Sequence, residues 1–319
     1  MERIRVSFII TTLNEAESIL NFLKSVSLQI RQPDEIIFTD AGSSDGTTEI
    51  IEKWAKNNNR VKIIKEEQIN IAEGRNIAIT NAQYEYIAVS DAGCILDNNW
   101  LKHLLEPFEN DKNIDIVGGW YYMTINTAFQ SALVKIIEIP LNKIDGRNFL
   151  PSSRSIAFKK KCWLKVGGYP ENLKKAAEDT LFDLKLKRAG CKFFFQPKAF
   201  VTWIIPNNHK KLFKKFYYYA YGDGEIINRL IYYLFLGIFF IILLVIPILS
   251  IYVPWLFFIY FVIVLIYSSL PLFRKKIQIS SIKIGELLYL CSCRVVILIA
   301  SFLGFYSGLL SKRVNKSNF

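Results

Sequence analysis

Glu35-Ile36-Ile37-Phe38-Thr39-Asp40-Ala41-Gly42-Ser43-Ser44-Asp45-Gly46-Thr47 is the stretch on which the fold turns. Glu35–Asp40 is a short β-rich run. It stops at a Gly/Ser/Asp turn, and helical spacing follows over 46–57. The same alternation extends on both sides. Val6–Thr11 reads as a strand before a helix over 15–29, Val61–Lys65 as a strand before a helix over 71–81, and Tyr86–Ser90 as a fourth strand. Strands alternating with helices predict an α/β fold with a mainly parallel central sheet covered on both faces. Ligands of such sheets bind beyond the carboxyl ends of the strands. After Trp100 the alternation loosens: a strand is expected over 114–122, helices over 128–137 and 177–189, and short strands over 191–196 and 199–203.

Charge divides the 319-residue chain unevenly. Its formal net charge is +12, yet residues 226–319 hold nine Lys/Arg and one acid, Glu286, so most of the excess lies there. Residues 1–225 are nearly balanced at +4, which argues against a nucleic-acid partner. Leu230–Phe273 is 44 residues without a charge, enough for two membrane spans of about 20 residues each, expected over 230–250 and 254–273. Arg274, Lys275, Lys276 and Lys283 follow and are expected on the cytoplasmic side. Ile284–Leu310, with its helix over 286–310, is a third apolar stretch; Glu286 and Arg294 interrupt it, leaving a third span and a re-entrant or interfacial helix both open. His209–Tyr221 mixes Lys210, Lys211, Lys214 and Lys215 with aromatics, as suits a helix over 208–222 lying on anionic lipid. No signal peptide opens the chain, so a multi-pass cell-membrane protein with a cytoplasmic N-terminal part is expected. The five cysteines show no metal-ligand spacing.

The strand ends are chemically distinctive. Thr11, Asn14 and Glu15 end the first, Asp40 to Thr47 the second, and Asp91-Ala92-Gly93 the fourth, while Gly74-Arg75-Asn76 opens a helix. Each has a structural reading: Asp45 suits a helix cap, and Asn14 and Glu15 can cap the first helix. Together they bring two carboxylates, Asp40 and Asp91, and one cation, Arg75, to one sheet edge, as a nucleotide's ribose and phosphates require.

These motifs, with Gly167-Gly168-Tyr169 and Glu178-Asp179 opening a helix that runs to Arg188-Ala189-Gly190, resemble those of family 2 glycosyltransferases of the GT-A fold. The resemblance covers about residues 4–222 and implies a glycosyltransferase domain over 1–222, ahead of a membrane region over 223–319. It implies that Asp40, Thr11 and Glu15 line the base and ribose pocket and that Arg75 lies near the base or phosphates. Asp91 is implied at the ribose and phosphate side, and Asp179 as the general base of an inverting transfer. Glu178, Trp203, Lys210 and Lys211 are implied on the acceptor or lid side, the lysines and Arg75 being alternatives for neutralising the leaving group. A divalent cation, Mg²⁺ or Mn²⁺, is usual in the family. Here Gly93 stands where the metal-binding acid would be and Trp203 replaces a later His, so Asp91 alone remains for metal and metal use is left open.

The expected activity is transfer of a single sugar from a nucleotide-sugar donor to a lipid-linked or membrane-proximal hydroxyl. The Gln-X-X-Arg-Trp motif of processive synthases is absent. A polyprenyl-phosphate sugar synthase and a non-catalytic nucleotide-binding scaffold are the alternatives.

Overall fold

The computed structural model describes residues 3–146, 148–173, 175–262 and 284–316. The chain separates into two compact units: Met1–Thr124, Ile139–Lys174 and Glu178–Ile204 form the first, and Ile125–Glu138, Lys175–Ala177 and Ile205–Phe319 the second.

The first unit is built on an eight-stranded sheet of order β3-β2-β1-β4-β7-β6-β8-β5. The strands are β1 (Val6–Thr12), β2 (Glu35–Asp40), β3 (Val61–Lys65), β4 (Tyr86–Val89), β5 (Cys94–Leu96), β6 (Ile116–Met123), β7 (Ile156–Lys159) and β8 (Phe193–Trp203). Strands β3, β2, β1 and β4 run parallel, and so do β6 and β8; β7 is antiparallel to both its neighbours, and β5 to β8. The central strands are apolar on both faces, as sandwiching by helices demands: every residue of β2 is buried. The helices of this unit are α1 (Ile19–Ser27), α2 (Thr47–Ala55), α3 (Ile71–Thr80), α4 (Trp100–Asn110), α6 (Lys160–Lys165) and α7 (Glu178–Arg188).

Two differences from the sequence reading have local causes. The two short strands expected over 191–196 and 199–203 are one strand, β8, and its pairing with β6 shifts register between Gly118 and Trp120. That shift accommodates Pro197, which cannot donate to the ladder. Gly119 sits at the shift because a Cβ there would meet Ala199 O at 2.1 Å and Ser155 Oγ at 2.0 Å. Helix α4 was not expected. It carries Pro107 near its end, but Trp100, Leu101, Leu104, Leu105 and Phe108 form a fully buried stripe that overrides it.

The second unit contains α5 (Ala128–Ile137), α8 (His209–Ile226), α9 (Leu230–Ser250) and α10 (Ile284–Lys316). Helices α9 and α10, the latter over Gly285–Ser311, are long and apolar enough to cross a membrane. Helix α9 ends in a turn at 251–255, and the helix after it is described through 262; the rest of the expected 254–273 span, with Arg274, Lys275, Lys276 and Lys283, lies outside the described residues. The third apolar stretch is one continuous 33-residue helix with no re-entrant turn inside it. Its Glu286 accepts from Ser131 Oγ at 2.6 Å and is ion-paired with Lys135 of α5, which answers the cost of placing a carboxylate in an apolar helix. Helices α8 and α10 approach backbone to backbone: a Cβ on Gly304 would meet Tyr217 O at 2.3 Å, and one on Gly308 would meet Tyr221 O at 2.0 Å. Small residues four apart permit that approach.

Candidate active site

The site is assembled at the carboxyl edge of β1, β2 and β4. The loops after β1 and β2 are stitched together. Ala16 N donates to Asp45 Oδ2 (3.0 Å), Glu15 N to Thr47 Oγ1 (2.8 Å), Asn14 N to Ser43 Oγ (2.9 Å) and Ser44 N to Asn14 Oδ1 (3.0 Å). Asn14 (φ 55) and Gly42 (φ 90) take left-handed backbone conformations that let the two loops meet. Asp45 also accepts from Thr47 N at the start of α2, but the N-cap position expected of it is held by Gly46 in a left-handed conformation. Hydrogen bonds from Thr47 and Ala16 hold the Asp45 carboxyl below the ordinary range.

Asp40 lies deeper than expected for a group reaching out to a ligand. It is 3% exposed and accepts from Ser43 Oγ (2.6 Å), Ser43 N (2.9 Å) and Thr12 Oγ1 (2.9 Å). Burial pushes its pKa up, but these bonds and one from Thr48 outweigh it, leaving the carboxyl below its usual value. It orders the loop that would meet a nucleotide. Thr11 packs against the start of α3, where a Cβ on Gly74 would come within 3.0 Å of Thr11 Cγ2.

Arg75 is the hub of the site. It is 2% exposed: Nη1 bonds Glu178 Oε1 at 2.7 Å and Nη2 bonds Asp91 Oδ1 at 2.9 Å. Its guanidinium lies 5.3 Å over the Tyr169 ring. Burial works against its charge, yet Glu178 and Asp91 more than compensate and raise its pKa above the ordinary value. The Gly-Arg-Asn and Gly-Gly-Tyr motifs meet here. Asn76 Oδ1 accepts from Tyr169 N (2.9 Å) and Trp163 Nε1 (2.8 Å), and Asn76 Nδ2 donates to Tyr169 O (2.9 Å). Gly167 (φ 72) and Gly168 (φ 79) form the turn that the clamp closes on.

Helix α7 supplies the remaining acids. Ala177 (φ 73) precedes it in a left-handed conformation costing roughly 1–2 kcal/mol for a residue with a Cβ. Glu178 is buried against Arg75. Burial, then the neighbouring Asp179, raise its pKa, opposed by Arg75. Asp179 is half-buried on the first turn, where the helix N-terminus favours an anion. One turn on, Asp183 is 1% exposed, and neither carboxylate oxygen has a hydrogen-bond partner among the described residues. Burial and then Asp179 push its pKa well up, opposed by Lys187. Sequence reasoning did not single it out.

Asp91 is 33% exposed and keeps one oxygen outside the Arg75 pair. A Cβ on Gly93 would lie 4.0 Å from Glu15 Oε2, so the acid nearest the missing one comes from the β1 loop. Among the described residues no group of three ligating side chains surrounds Asp91. One free carboxylate oxygen and a glycine do not fit a protein-held hard cation. Trp203 ends β8 opposite Cys94, and Ile204 N reaches Gly93 O at 3.4 Å, so position 203 borders the Asp91 loop. Its side chain is 7% exposed beneath Arg154, whose guanidinium stacks 4.2 Å above the ring; Arg154 is a second residue missed from sequence. The structure thus brings Asp91, Arg75, Glu178 and Asp179 together, with Thr11 and Asp40 at the ends of β1 and β2 and Glu15 in the loop after β1. Lys210 and Lys211 are exposed on α8, in the second unit.

The family model "Glycosyl transferase family 2" matches residues 7–166, half of the chain. Poly-beta-1,6-N-acetyl-D-glucosamine synthase of Staphylococcus aureus is 26% identical over 232 residues, covering 70% of this chain and 56% of the relative. The Staphylococcus epidermidis protein of that name is 28% identical over 237 residues, with the same coverage. The chain thus spans about half the length of these curated relatives. Among solved structures, a mannosyltransferase from Pyrobaculum calidifontis in complex with GDP-Man and Mn²⁺ matches with TM-score 0.59 at 15% identity, covering 99% of this chain and 88% of that one. S. aureus TarS in complex with UDP-GlcNAc matches with TM-score 0.52 at 19% identity, covering 66% and 65%. On the family match and the shared GT-A architecture, this chain belongs to the family 2 glycosyltransferases.

Proposed function

We propose that this glycosyltransferase is anchored in the cell membrane with its catalytic unit on the cytoplasmic side. It moves one sugar, with inversion, from a nucleotide-sugar donor to a hydroxyl of a lipid-linked or membrane-proximal acceptor. The observation that carries the proposal is the ion-paired row Asp91–Arg75–Glu178, which ties the strand end to the first turn of α7, where Asp179 is half-buried. Residues 1–222 are assigned to transfer and 223–319 to anchoring.

In this reading the stitched β1 and β2 loops, with Thr11, Glu15 and the Asp40-ordered turn, receive base and ribose, and Asp91 faces the ribose and phosphates. An acceptor hydroxyl is a poor nucleophile. Asp179 takes its proton as the oxygen attacks C1 of the sugar, and the C1–O bond to the diphosphate breaks with its electron pair leaving on the phosphate oxygen. Attack opposite the leaving group inverts the anomeric centre. Arg75 positions Asp91 and Glu178; Arg154, stacked on Trp203 at the border of the Asp91 loop, is the cation assigned to the leaving group. Any Mg²⁺ or Mn²⁺ arrives with the donor diphosphate and would supply charge neutralisation there. The apolar helices α9 and α10 and the basic aromatic α8 support the membrane assignment.

A panel of labelled nucleotide sugars, with UDP-GlcNAc and GDP-mannose first because related structures hold them, is incubated with the full chain and membrane extract. Label from one donor should enter the lipid fraction one residue at a time. Label confined to long polymer, or to water-soluble product, contradicts the proposal. A sugar linked directly to lipid phosphate would identify a polyprenyl-phosphate sugar synthase, whose ionised acceptor needs no base.

A further inference from the structure

A second cluster of potential ligands lies at the other end of α7. Asp115 precedes β6, Cys162 lies in α6 and Cys191 follows α7; one oxygen and the two sulfurs all lie within 4.8 Å of one another. Cys162 is 3% exposed and Cys191 is partly exposed; both are free thiols. Around a tetrahedral ion with bonds of about 2.3 Å to sulfur and 2.1 Å to oxygen, ligand atoms sit roughly 3.4–3.8 Å apart, so closure needs movements of about 1 Å or less. Ten residues of helix at 1.5 Å each put Glu178 about 15 Å from the last turn of α7, so the cluster is separate from the sugar-transfer site.

We propose that Asp115, Cys162 and Cys191 form a binding site for a thiophilic divalent cation of the zinc type, with water at the fourth position. Two thiolates select a soft ion over the Mg²⁺ or Mn²⁺ suited to a diphosphate. The surroundings suit the charge. Two thiolates and a carboxylate leave a surplus negative charge on a divalent ion, and Lys159 Nζ (3.4 Å) and Lys161 Nζ (3.8 Å) stand beside Asp115 Oδ1 to balance it. Lys192 N donates to Asp115 Oδ2 at 3.1 Å and fixes the carboxylate. The ion would tie the end of α7 to α6 and the strand edge. Its role is to hold the helix whose first turn carries Glu178 and Asp179, and it takes no part in the chemistry.

The test uses the full chain in detergent, reduced and freed of metal, titrated with Cd²⁺ while the cadmium–thiolate charge-transfer absorption is followed. The expected result is one equivalent bound with a two-thiolate band, displaced by Zn²⁺ but not by Mg²⁺ or Mn²⁺. Cys191→Ser, at a partly exposed turn that tolerates change, should lose the band, and Asp115→Asn should weaken binding about tenfold or more. Cys94→Ser, whose thiol lies at β5, should match the parent chain. Thermal midpoints of metal-free samples show whether each variant folds. Absence of the band in the parent chain, its persistence in Cys162→Ser/Cys191→Ser, or a thiol count showing those two residues joined as a disulfide in the chain as purified, each overturns the proposal.

Discussion

Replacing Arg75 with methionine tests the hub of the site. The substitution keeps volume and removes the charge from a residue that is 2% exposed and bonded at 2.7 Å and 2.9 Å to two carboxylates. Glu178 is then left buried with Asp179 beside it and no cation. Breaking a buried pair in this way costs about 3–5 kcal/mol, because the stranded charge must take a proton or draw in water. The Asp91 arm, one-third exposed, adds little. At about 2–4 °C per kcal/mol for a unit of this size, the midpoint should fall by roughly 6–20 °C. Glu178→Gln combined with Arg75→Met removes the stranded charge, so the double variant should recover part of the loss. Calorimetry of the parent, both single variants and the double variant in detergent gives a coupling energy, expected above about 1 kcal/mol. A coupling below about 0.5 kcal/mol, or an Arg75→Met midpoint within experimental error of the parent, refutes the hub reasoning.

Three further outcomes follow from the same geometry. Asp183 holds its proton in the folded state above the unfolded value near 3.8, so the folded chain binds more protons and stability falls as pH rises past that value. Asp183→Asn should therefore flatten the fall of the thermal midpoint as pH rises, and an unchanged profile contradicts a pKa raised by burial. Gly308→Leu drives a side chain into Tyr221 O, where even a Cβ would stand at 2.0 Å, and should cost about 1–3 kcal/mol or separate α8 from α10; unaltered thermal unfolding contradicts the close packing. Gly93→Asp adds a carboxylate beside Glu15 and Asp91 and should lower the Mn²⁺ concentration for half-maximal transfer about tenfold. No change would mean that the position does not face the donor.

The parallel half of the sheet was legible because its signals are local. Residues 35–40 and 61–65 begin and end where a β-rich run meets turn residues, and β2 and β3 have those bounds. Helix α5 likewise matches its apolar spacing over 128–137. Strand β7 is four residues, Ile156–Lys159, too short for alternation to register, and it is held by antiparallel neighbours distant in sequence. The stripe of α4 was readable from Trp100 to Phe108, and only Pro107 spoke against it.

At the site, motif order located Asp91, Arg75, Glu178 and Asp179 but not their connections. Arg75 and Glu178 are 103 positions apart, and no local pattern reveals that the arginine is the counter-ion of that acid. The burial of Asp183 and the stacking of Arg154 on Trp203 depend on packing between elements, which spacing alone does not encode.

The most direct test of the account is Asp179→Asn in the full chain, measured once for donor-nucleotide binding and once for sugar transfer. Removing the base while keeping shape should cut transfer by about 10²–10⁴-fold with nucleotide affinity nearly unchanged. Transfer at the parent rate would remove Asp179 as the base and with it the proposed route to a hydroxyl acceptor.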